Sequence, residues 1–473
     1  MIGRKKEIEK LKELYESNKA ELVAVYGRRR VGKTYLIQET FKNKFFFKHS
    51  GLSLDESDDN KKTSIQLESF YNSLLLYGAK VDKKPANWFE AFLFLEKFIM
   101  EKDTDKKLVI FFDELPWLDT KGSHFISAFE GFWNSFACGR NNLMVIVCGS
   151  ATSWIENNLI NNCGGLYGRV TYEIKLSPFN LCETKEFLES RRVKYSNYDI
   201  TQAYMIFGGI PYYLNYIDSK YSLAQNIDNL FFKHNALLSI EFDRLFNSVF
   251  TFSEKAKEII KFLSTNSVGF TRKEIGAAIK ISDGGILSKY LNALIASNFI
   301  IKYVPFGFSK RESHYKLIDP FCIFFIKFVL NKEDSENLWS QDSSNQKLSS
   351  WRGYAFENVC FNHIDQIKFA LGISGVSTTT SAFYNKDDGY QIDLMITRKD
   401  NIINLCEIKF YSDEFTITKE YNLKVNRMTN LLYSKINKKY SIMNTLISTY
   451  GPSKNEYYFT FTNSITLDDL FKF

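Results

Sequence analysis

Between residues 21 and 41 an apolar run passes through Gly27-Arg28-Arg29-Arg30-Val31-Gly32-Lys33-Thr34 into a helical pattern. The octet has the spacing G-x-x-x-x-G-K-[ST], and it constrains the fold more than any other stretch of the chain. Its glycines let successive backbone N–H groups turn inward around an anion. The helix that follows adds its positive N-terminal end. Such a loop needs a strand before it and a helix after it, and both are predicted, over 21–27 and 33–41. The neighbouring pattern extends this to an α/β fold with a parallel, doubly wound sheet. Residues 44–49 read as a strand, and 108–112 and 143–148 as apolar strands buried on both faces. Helices are expected at the start of the chain, where Ile8, Leu11, Leu14 and Tyr15 share a face, and near 63–77, 87–101 and 122–137. The polar residues 53–62 read as a loop.

The octet makes Gly27, Arg28, Arg29, Arg30, Val31, Gly32, Lys33 and Thr34 candidate phosphate-binding residues. Lys33 would reach the β- and γ-phosphates of ATP, and Thr34 would ligate Mg²⁺. An acid pair, Asp113-Glu114, closes the buried strand 108–112. Asp113 is the candidate Mg²⁺ holder and Glu114 the candidate catalytic residue that polarises the attacking water. Ser150 closes the next strand, after Gly149, either within reach of the γ-phosphate or as a plain turn serine.

With 473 residues the chain has room for about three domains. Its 61 Lys and Arg stand against 54 Asp and Glu, a net of +7, and that whole excess falls in residues 1–50. The remainder is balanced, so no domain-wide basic field argues for nucleic-acid binding. The seven cysteines are odd in number and lack metal-site spacing, which points to reduced thiols and a cytoplasmic protein. The apolar stretch 321–330 is too short to span a membrane and contains Lys327.

Residues 180–250 read as helical, interrupted by Gly208-Gly209-Ile210-Pro211. Residues 253–318 give three helices and two strands around a Pro-Phe-Gly turn, a winged-helix pattern in which Thr271 and Glu274 form a capping box. Its charges suited to phosphate contact are Lys289, Lys302, Lys310 and Arg311. Residues 331–350 are polar and read as a linker. Beyond Trp351 a hairpin is expected from 391–397 and 402–409. A three-residue loop, Lys399-Asp400-Asn401, sets Asp393 opposite Glu407, with Lys409 on the same face. Facing carboxylates in an apolar sheet call for a cation between them, and a divalent ion with oxygen ligands supplies it. Glu357 lies on the apolar stripe of Tyr354, Phe361 and Ile364 and could reach the same metal.

Several further motifs resemble one family. Met1-Ile2-Gly3-Arg4 with Glu7, the glycine loop, Phe132-Trp133-Asn134, Gly168-Arg169, Leu176-Ser177-Pro178-Phe179 and Gly209-Ile210-Pro211 look like the archaeal-type ATPases of the STAND group, relatives of AAA+ proteins. The resemblance covers residues 1 to about 320. It implies that Arg4 and Pro211 flank the adenine, and that Arg169 is a γ-phosphate sensor or an arginine finger; a surface ion pair is its other reading. The order Glu357, Asp393, Glu407-Ile408-Lys409 is similar to the PD-(D/E)XK nucleases, with Ile392 in place of the proline before the family's Asp. Phe415-Thr416-Ile417-Thr418-Lys419 and the helix after it look like the nuclease-like domain that closes many archaeal-type ATPases. This resemblance implies Mg²⁺-dependent phosphodiester cleavage, with Asp393 and Glu407 on the metal and Lys409 activating water.

The domains expected are a P-loop ATPase core over 1–180, a helical lid over 181–250, a winged helix over 251–320, a linker over 321–350 and a restriction-endonuclease-like α/β domain over 351–473. The expected function is an ATP-binding and ATP-hydrolysing switch that controls DNA cleavage. The partners would be ATP, ADP and DNA, with a homo-oligomer in the ATP state and no membrane. One alternative is an ATP-regulated DNA-binding or scaffold protein whose nuclease fold is inactive, and another is a motor that remodels DNA or protein.

Overall fold

The computed structural model describes residues 2–55, 58–102, 104–250, 252–308, 312–330, 338–341, 346–385 and 390–473. They form two units, Met1–Ser177 and Pro178–Phe473.

In the first unit, strands β1 (Glu21–Tyr26), β2 (Phe45–Ser50), β3 (Leu108–Asp113), β4 (Leu143–Gly149) and β5 (Tyr172–Lys175) make one parallel sheet in the order β2-β3-β4-β1-β5. Every residue of β1, β3 and β4 is buried, which is why these strands read as unbroken apolar runs. One face is covered by the helices Trp88–Glu101 and Phe125–Ser135, whose Phe92 and Phe132 rings stack at 5.1 Å. Each such ring contributes roughly 1.5–3 kcal/mol by leaving water. The helix Asp59–Leu76 begins inside the stretch expected to be a loop. Asp58 caps it by accepting from the Asn60 and Lys61 N–H groups, so Asp58 and Asp59 mark the start of a helix and suit its positive end. The sequence pattern gave no sign of β5, a four-residue edge strand in which only Ile174 is buried.

The second unit opens with the helices Leu181–Ser190 and Asn197–Phe207, then turns at Gly208 and Gly209, with φ of 68° and 64°. A Cβ on Gly209 would lie 2.2 Å from the Phe179 carbonyl oxygen, so only glycine fits. Next come helices Ser253–Leu263, Arg272–Ala278 and Gly285–Ala296 with strands β6 (Phe270–Thr271), β7 (Ile300–Tyr303) and β8 (His314–Leu317) in the antiparallel order β6-β8-β7. Thr271 and Glu274 cap the second helix reciprocally. Lys289 and Lys302 are exposed, while Lys310 and Arg311 lie outside the described residues.

Part of the stretch expected as a linker over 321–350 is helical, and 331–337 and 342–345 lie outside the described residues. Pro320–Phe324 and Phe325–Val329 are helical, and Phe321, Phe324, Phe325 and Phe328 are buried. Leu338–Gln341 and Gln346–Asn362 are helices as well. Most of the apolar run 321–330 is thus core, with Leu330 exposed, and Asp319 caps it by accepting from Cys322 N–H at 2.8 Å.

The chain closes with strands β9 (Thr378–Asn385), β10 (Tyr390–Arg398), β11 (Ile402–Lys409), β12 (Ser441–Ser448) and β13 (Asn463–Thr466), in the order β13-β12-β11-β10-β9. The ladders β9–β10 and β10–β11 are antiparallel, and β11–β12 and β12–β13 are parallel. The hairpin register pairs Thr397 with Ile403, Met395 with Leu405 and Leu394 with Cys406, as the three-residue loop requires. Asn401 takes the left-handed position of that loop, with φ of 66°. All seven cysteines are free. Among the described residues no helix is long and apolar enough to cross a membrane.

Candidate functional sites

The first site is built at the end of β1. Gly27 and Gly32 have φ of 138° and 90°, and Arg30 between them is also left-handed at 73°. A Cβ on Gly27 would lie 2.3 Å from the Leu176 carbonyl oxygen, so the loop can close against the residue after β5 only with glycine there. Gly32 is the N-cap of the helix Lys33–Thr40. Lys33 is buried, and its Nζ donates to the Gly27 and Arg28 carbonyls, each at 2.9 Å. Burial pushes its ammonium down, against Cys148, Glu114 and Asp113, which hold it up. Arg28 is buried with the loop, and Arg29 and Arg30 are half-buried.

The ends of β3 and β4 face this loop. The Thr34 hydroxyl donates to Asp113 Oδ1 at 3.0 Å. A hydroxyl and a carboxylate held this close fit two positions on one Mg²⁺ ion, which is hard and takes oxygen ligands. Burial raises the Asp113 carboxyl above its ordinary range, Glu114 adds to this, and the Thr34 hydrogen bond opposes it. A cation would relieve that cost. Glu114 stands in the left-handed region at φ 47°, strain of the kind that collects at functional positions. Its carboxylate accepts from Ser150 N–H at 3.1 Å and from the Ser150 hydroxyl at 2.9 and 3.0 Å.

The remaining candidates divide. Arg4 is buried and donates to Ser177 O at 2.5 Å and Val31 O at 3.4 Å, so it ties the first helix to the loop. Arg169 is exposed in the turn ahead of β5. Pro211 starts the short helix Pro211–Leu214 of the second unit.

The second site lies in the second unit. The β10–β11 ladder ends at Leu394 and Cys406, and β10 is irregular between Ile392 and Met395, so Asp393 lies beside Glu407 but outside the paired register. Glu407 Oε2 accepts from the Tyr421 hydroxyl at 2.5 Å and pairs with Lys409 Nζ at 3.4 Å. The helix Gln346–Asn362 brings Glu357 to the same place. Burial pushes Glu357 up to about 8, Asp393 adds to this, and Lys316 and Lys409 oppose it. Burial and Glu407 push Asp393 up to about 6 against Lys409 and Lys316. The Lys409 ammonium is raised; burial lowers it, and Glu407 and Asp393 outweigh burial.

The expected metal group of Glu357, Asp393 and Glu407 is not assembled. Among the described residues no three His, Cys, Asp or Glu side chains gather closely enough to hold an ion. Glu407 is instead engaged by Lys409 and by the Tyr421 hydroxyl, and Lys316 lies near enough to Glu357 and Asp393 to feel their charge. Sequence reasoning missed Tyr421 and Lys316. Tyr421 sits in the first turn of the helix capped by Thr418, which fixes where that helix starts but not what the ring touches. Lys316 left a fainter signal, a lysine within the buried run Tyr315 to Leu317.

The strand–loop–helix at β1, with Thr34 on Asp113 and an acid at the end of β3, defines the first unit as a P-loop ATPase domain. Residues 1–217 match the family model described as an ATPase domain predominantly from Archaea, so the chain carries an ATPase domain of archaeal type. Among curated relatives, an uncharacterised protein of Methanocaldococcus jannaschii is 24% identical over 364 residues, 76% of each chain. An uncharacterised ATP-binding protein of the same organism is 51% identical over 43 residues, 9% of this chain and 73% of that one. Among solved structures, a Walker-type ATPase of Pyrococcus abyssi has a TM-score of 0.49 at 18% identity, covering 69% of this chain and 96% of that one. A STAND protein of Pyrococcus horikoshii with a tetratricopeptide repeat sensor has a TM-score of 0.28 at 16% identity, covering 79% and 48%.

Proposed function

We propose that the protein is an ATP-driven switch whose nucleotide state controls a Mg²⁺-dependent, nuclease-like site at its C-terminal end. The reading is carried by the Thr34–Asp113 pair at 3.0 Å beside Glu114. ATP would sit on the N–H groups of residues 27–34 with Lys33 on its phosphates. Thr34 and Asp113 would hold Mg²⁺. Glu114 would take a proton from the attacking water, and Ser150 would hold Glu114 in position until the γ-phosphate offers the serine another acceptor. Arg4 would brace the loop near the adenine, and Pro211 and Arg169 would report nucleotide state. Loss of the γ-phosphate would release the elements it had ordered.

In the same reading residues 253–318 form a winged helix whose exposed Lys289 and Lys302 would meet phosphate, and the sheet β9–β13 is a PD-(D/E)XK-like fold. Asp393, Glu407 and Lys409 would be its reactive group, with Glu357 beside them. Magnesium there would polarise a phosphodiester and its attacking water. These residues would position both.

A second reading, an ATP-regulated DNA-binding or scaffold protein with an inactive nuclease fold, is favoured by one observation: no three acids gather among the described residues. The experiment that separates the two is plasmid nicking by the full chain with Mg²⁺, measured with ATP, ADP and a non-hydrolysable analogue. Nicking that depends on nucleotide and disappears in Glu407→Ala supports the switch. Shifted DNA without nicking supports the second reading.

A further inference from the structure

The even balance of charge beyond residue 50 conceals one local excess. From 419 to 439 the chain carries Lys419, Lys424, Arg427, Lys435, Lys438 and Lys439 against Glu420 alone, and each of the six basic side chains is exposed. Most of this stretch is the helix Lys419–Lys435, which packs Val425, Met428 and Leu432 inward. The spacing i, i+3, i+11 sets Lys424, Arg427 and Lys435 on one outer flank, over a length of about 16 Å. The helix dipole accounts for Glu420 in the first turn and Lys435 in the last, but not for Lys424 and Arg427 in the middle.

This flank ends on an aromatic surface. The Tyr421 ring has Lys409 Nζ 5.5 Å and Lys424 Nζ 5.8 Å from its centroid. Phe415 meets Tyr421 edge-on at 5.1 Å, and Tyr411 stacks on Phe415 at 5.6 Å with 18° between the ring planes. Tyr411 is 51% exposed, whereas Phe410 before it is buried. A half-exposed ring backed by a second ring is a platform for one more π-face. Cations along a track and an aromatic platform at its end match an anionic backbone with unpaired bases. A duplex keeps its bases paired and has no use for the ring. A lipid surface needs an apolar helix face to insert, and the apolar face of this helix is already in the core.

We propose that the flank of Lys424, Arg427 and Lys435 binds the backbone of a single-stranded nucleic acid and guides it to Lys409, with one base stacked on Tyr411. Asp413 and Glu414, exposed in the loop between Tyr411 and Phe415, repel such a backbone, so the strand runs along the helix and not over that loop. The inference rests on reading the C-terminal domain as one that takes nucleic acid, and it names the strand taken; it requires no cleavage.

The test is fluorescence anisotropy of labelled oligothymidylate, oligouridylate and a DNA duplex, each about 20 nucleotides long to exceed a typical site size. The full chain is titrated in EDTA at several salt concentrations. Lys424→Gln with Arg427→Gln should weaken binding of the strands at least about tenfold. It should also lower the slope of log affinity against log salt by about 1.4, since each phosphate contact on a single strand contributes about 0.7. Tyr411→Ala should weaken binding at least about fivefold with the slope unchanged, and Tyr411→Phe should bind as wild type. The duplex should bind more weakly than the strands. A preference for either strand keeps the inference and names the sugar. No binding of either strand, or unchanged affinity in the double Gln variant, overturns it. So does a loss confined to Lys289→Gln with Lys302→Gln, or binding of phosphatidylserine vesicles but of neither strand. Duplex bound as tightly as the strands, or equal losses in Tyr411→Phe and Tyr411→Ala, overturns the single-strand assignment. Strand binding on this flank without cleavage in Mg²⁺ keeps the inference and removes the nuclease reading. Cleavage that the double Gln variant leaves unchanged keeps the nuclease and removes the track.

Discussion

The Glu114 carboxylate is held by both the backbone N–H and the hydroxyl of Ser150, the residue that follows β4. The acid expected to polarise water is therefore positioned by the neighbouring strand end. Ser150→Ala should lower ATP turnover by about tenfold while leaving nucleotide affinity unchanged, because one hydroxyl is lost and the backbone N–H stays. Glu114→Gln should lower turnover by at least about a hundredfold. Phosphate release and fluorescent-nucleotide titration read the two effects separately. Equal turnover in Glu114→Gln and wild type would remove Glu114 from the reaction.

The Thr34–Asp113 pair makes a complementary claim about affinity. Lys33→Ala should abolish tight ATP binding. Thr34→Ala should leave ATP binding that no longer tightens with Mg²⁺, and Thr34→Ser should restore the Mg²⁺ response, since serine keeps the hydroxyl that contacts Asp113. Titrations with and without EDTA measure this, and an Mg²⁺ response in Thr34→Ala equal to that of wild type would dismiss the pair as ligands.

Gly209 tests the turn after the helix Asn197–Phe207. A Cβ there would lie 2.2 Å from Phe179 O and 2.6 Å from the Tyr204 ring, at a φ of 64°. Gly209→Ala should cost roughly 2–4 kcal/mol, read as a lower urea midpoint with an unchanged m-value. Gly78→Ala is the control, because its φ of 89° is also positive but its Cβ would meet nothing within 4 Å. A loss of stability at Gly78 as large as that at Gly209 would show that backbone strain alone is responsible.

Glu357 gives a pH signature with a definite sign. Its folded carboxyl, at about 8, lies above its ordinary 4.5. The folded state therefore holds the proton more tightly, and the stability this gives is lost as pH rises from 4.5 to 8. Glu357→Gln should melt higher than wild type at pH 8 by a few degrees and much like it at pH 5. A constant difference across that range would count against the buried carboxyl.

His363 has the opposite sign. It is fully buried, its Nε2 accepts from Leu181 N–H at 2.9 Å, and its Nδ1 donates to Val359 O at 2.7 Å. Both ring nitrogens are satisfied by the neutral ring, and burial pushes its pKa down to about 4 from 6.5. Stability should fall as pH drops from 6.5 to 4, by on the order of 3 kcal/mol from this group. His363→Gln should flatten that part of the urea-midpoint profile.

What the sequence made legible follows from how local each signal is. The octet at 27–34 announces its strand and helix because every contact it needs is within reach along the chain. The hairpin register was legible for the same reason: loop length and alternation fix it, and Leu394 meets Cys406 as they require. The start of the helix at Asp59 was missed because acidic residues serve equally as loop and as cap. The partners of Tyr421 and Lys316 were not legible in the sequence. Each acts on residues brought near only by tertiary packing, and no periodicity encodes which side chain a lysine on β8 will face.

The strand order β2-β3-β4-β1-β5 has a consequence for how the protein is made. β1 leaves the ribosome first among the strands, yet both of its neighbours, β4 and β5, lie more than 115 residues later in the chain. Closing such long loops is slow, and apolar strands waiting for partners are prone to misassociate. The phosphate loop at the end of β1 packs at Gly27 against Leu176, so its full set of neighbours exists only once the chain is made past that residue. A chain cut before β4 and β5 would carry the motif without the strands that flank β1, and should therefore bind nucleotide poorly.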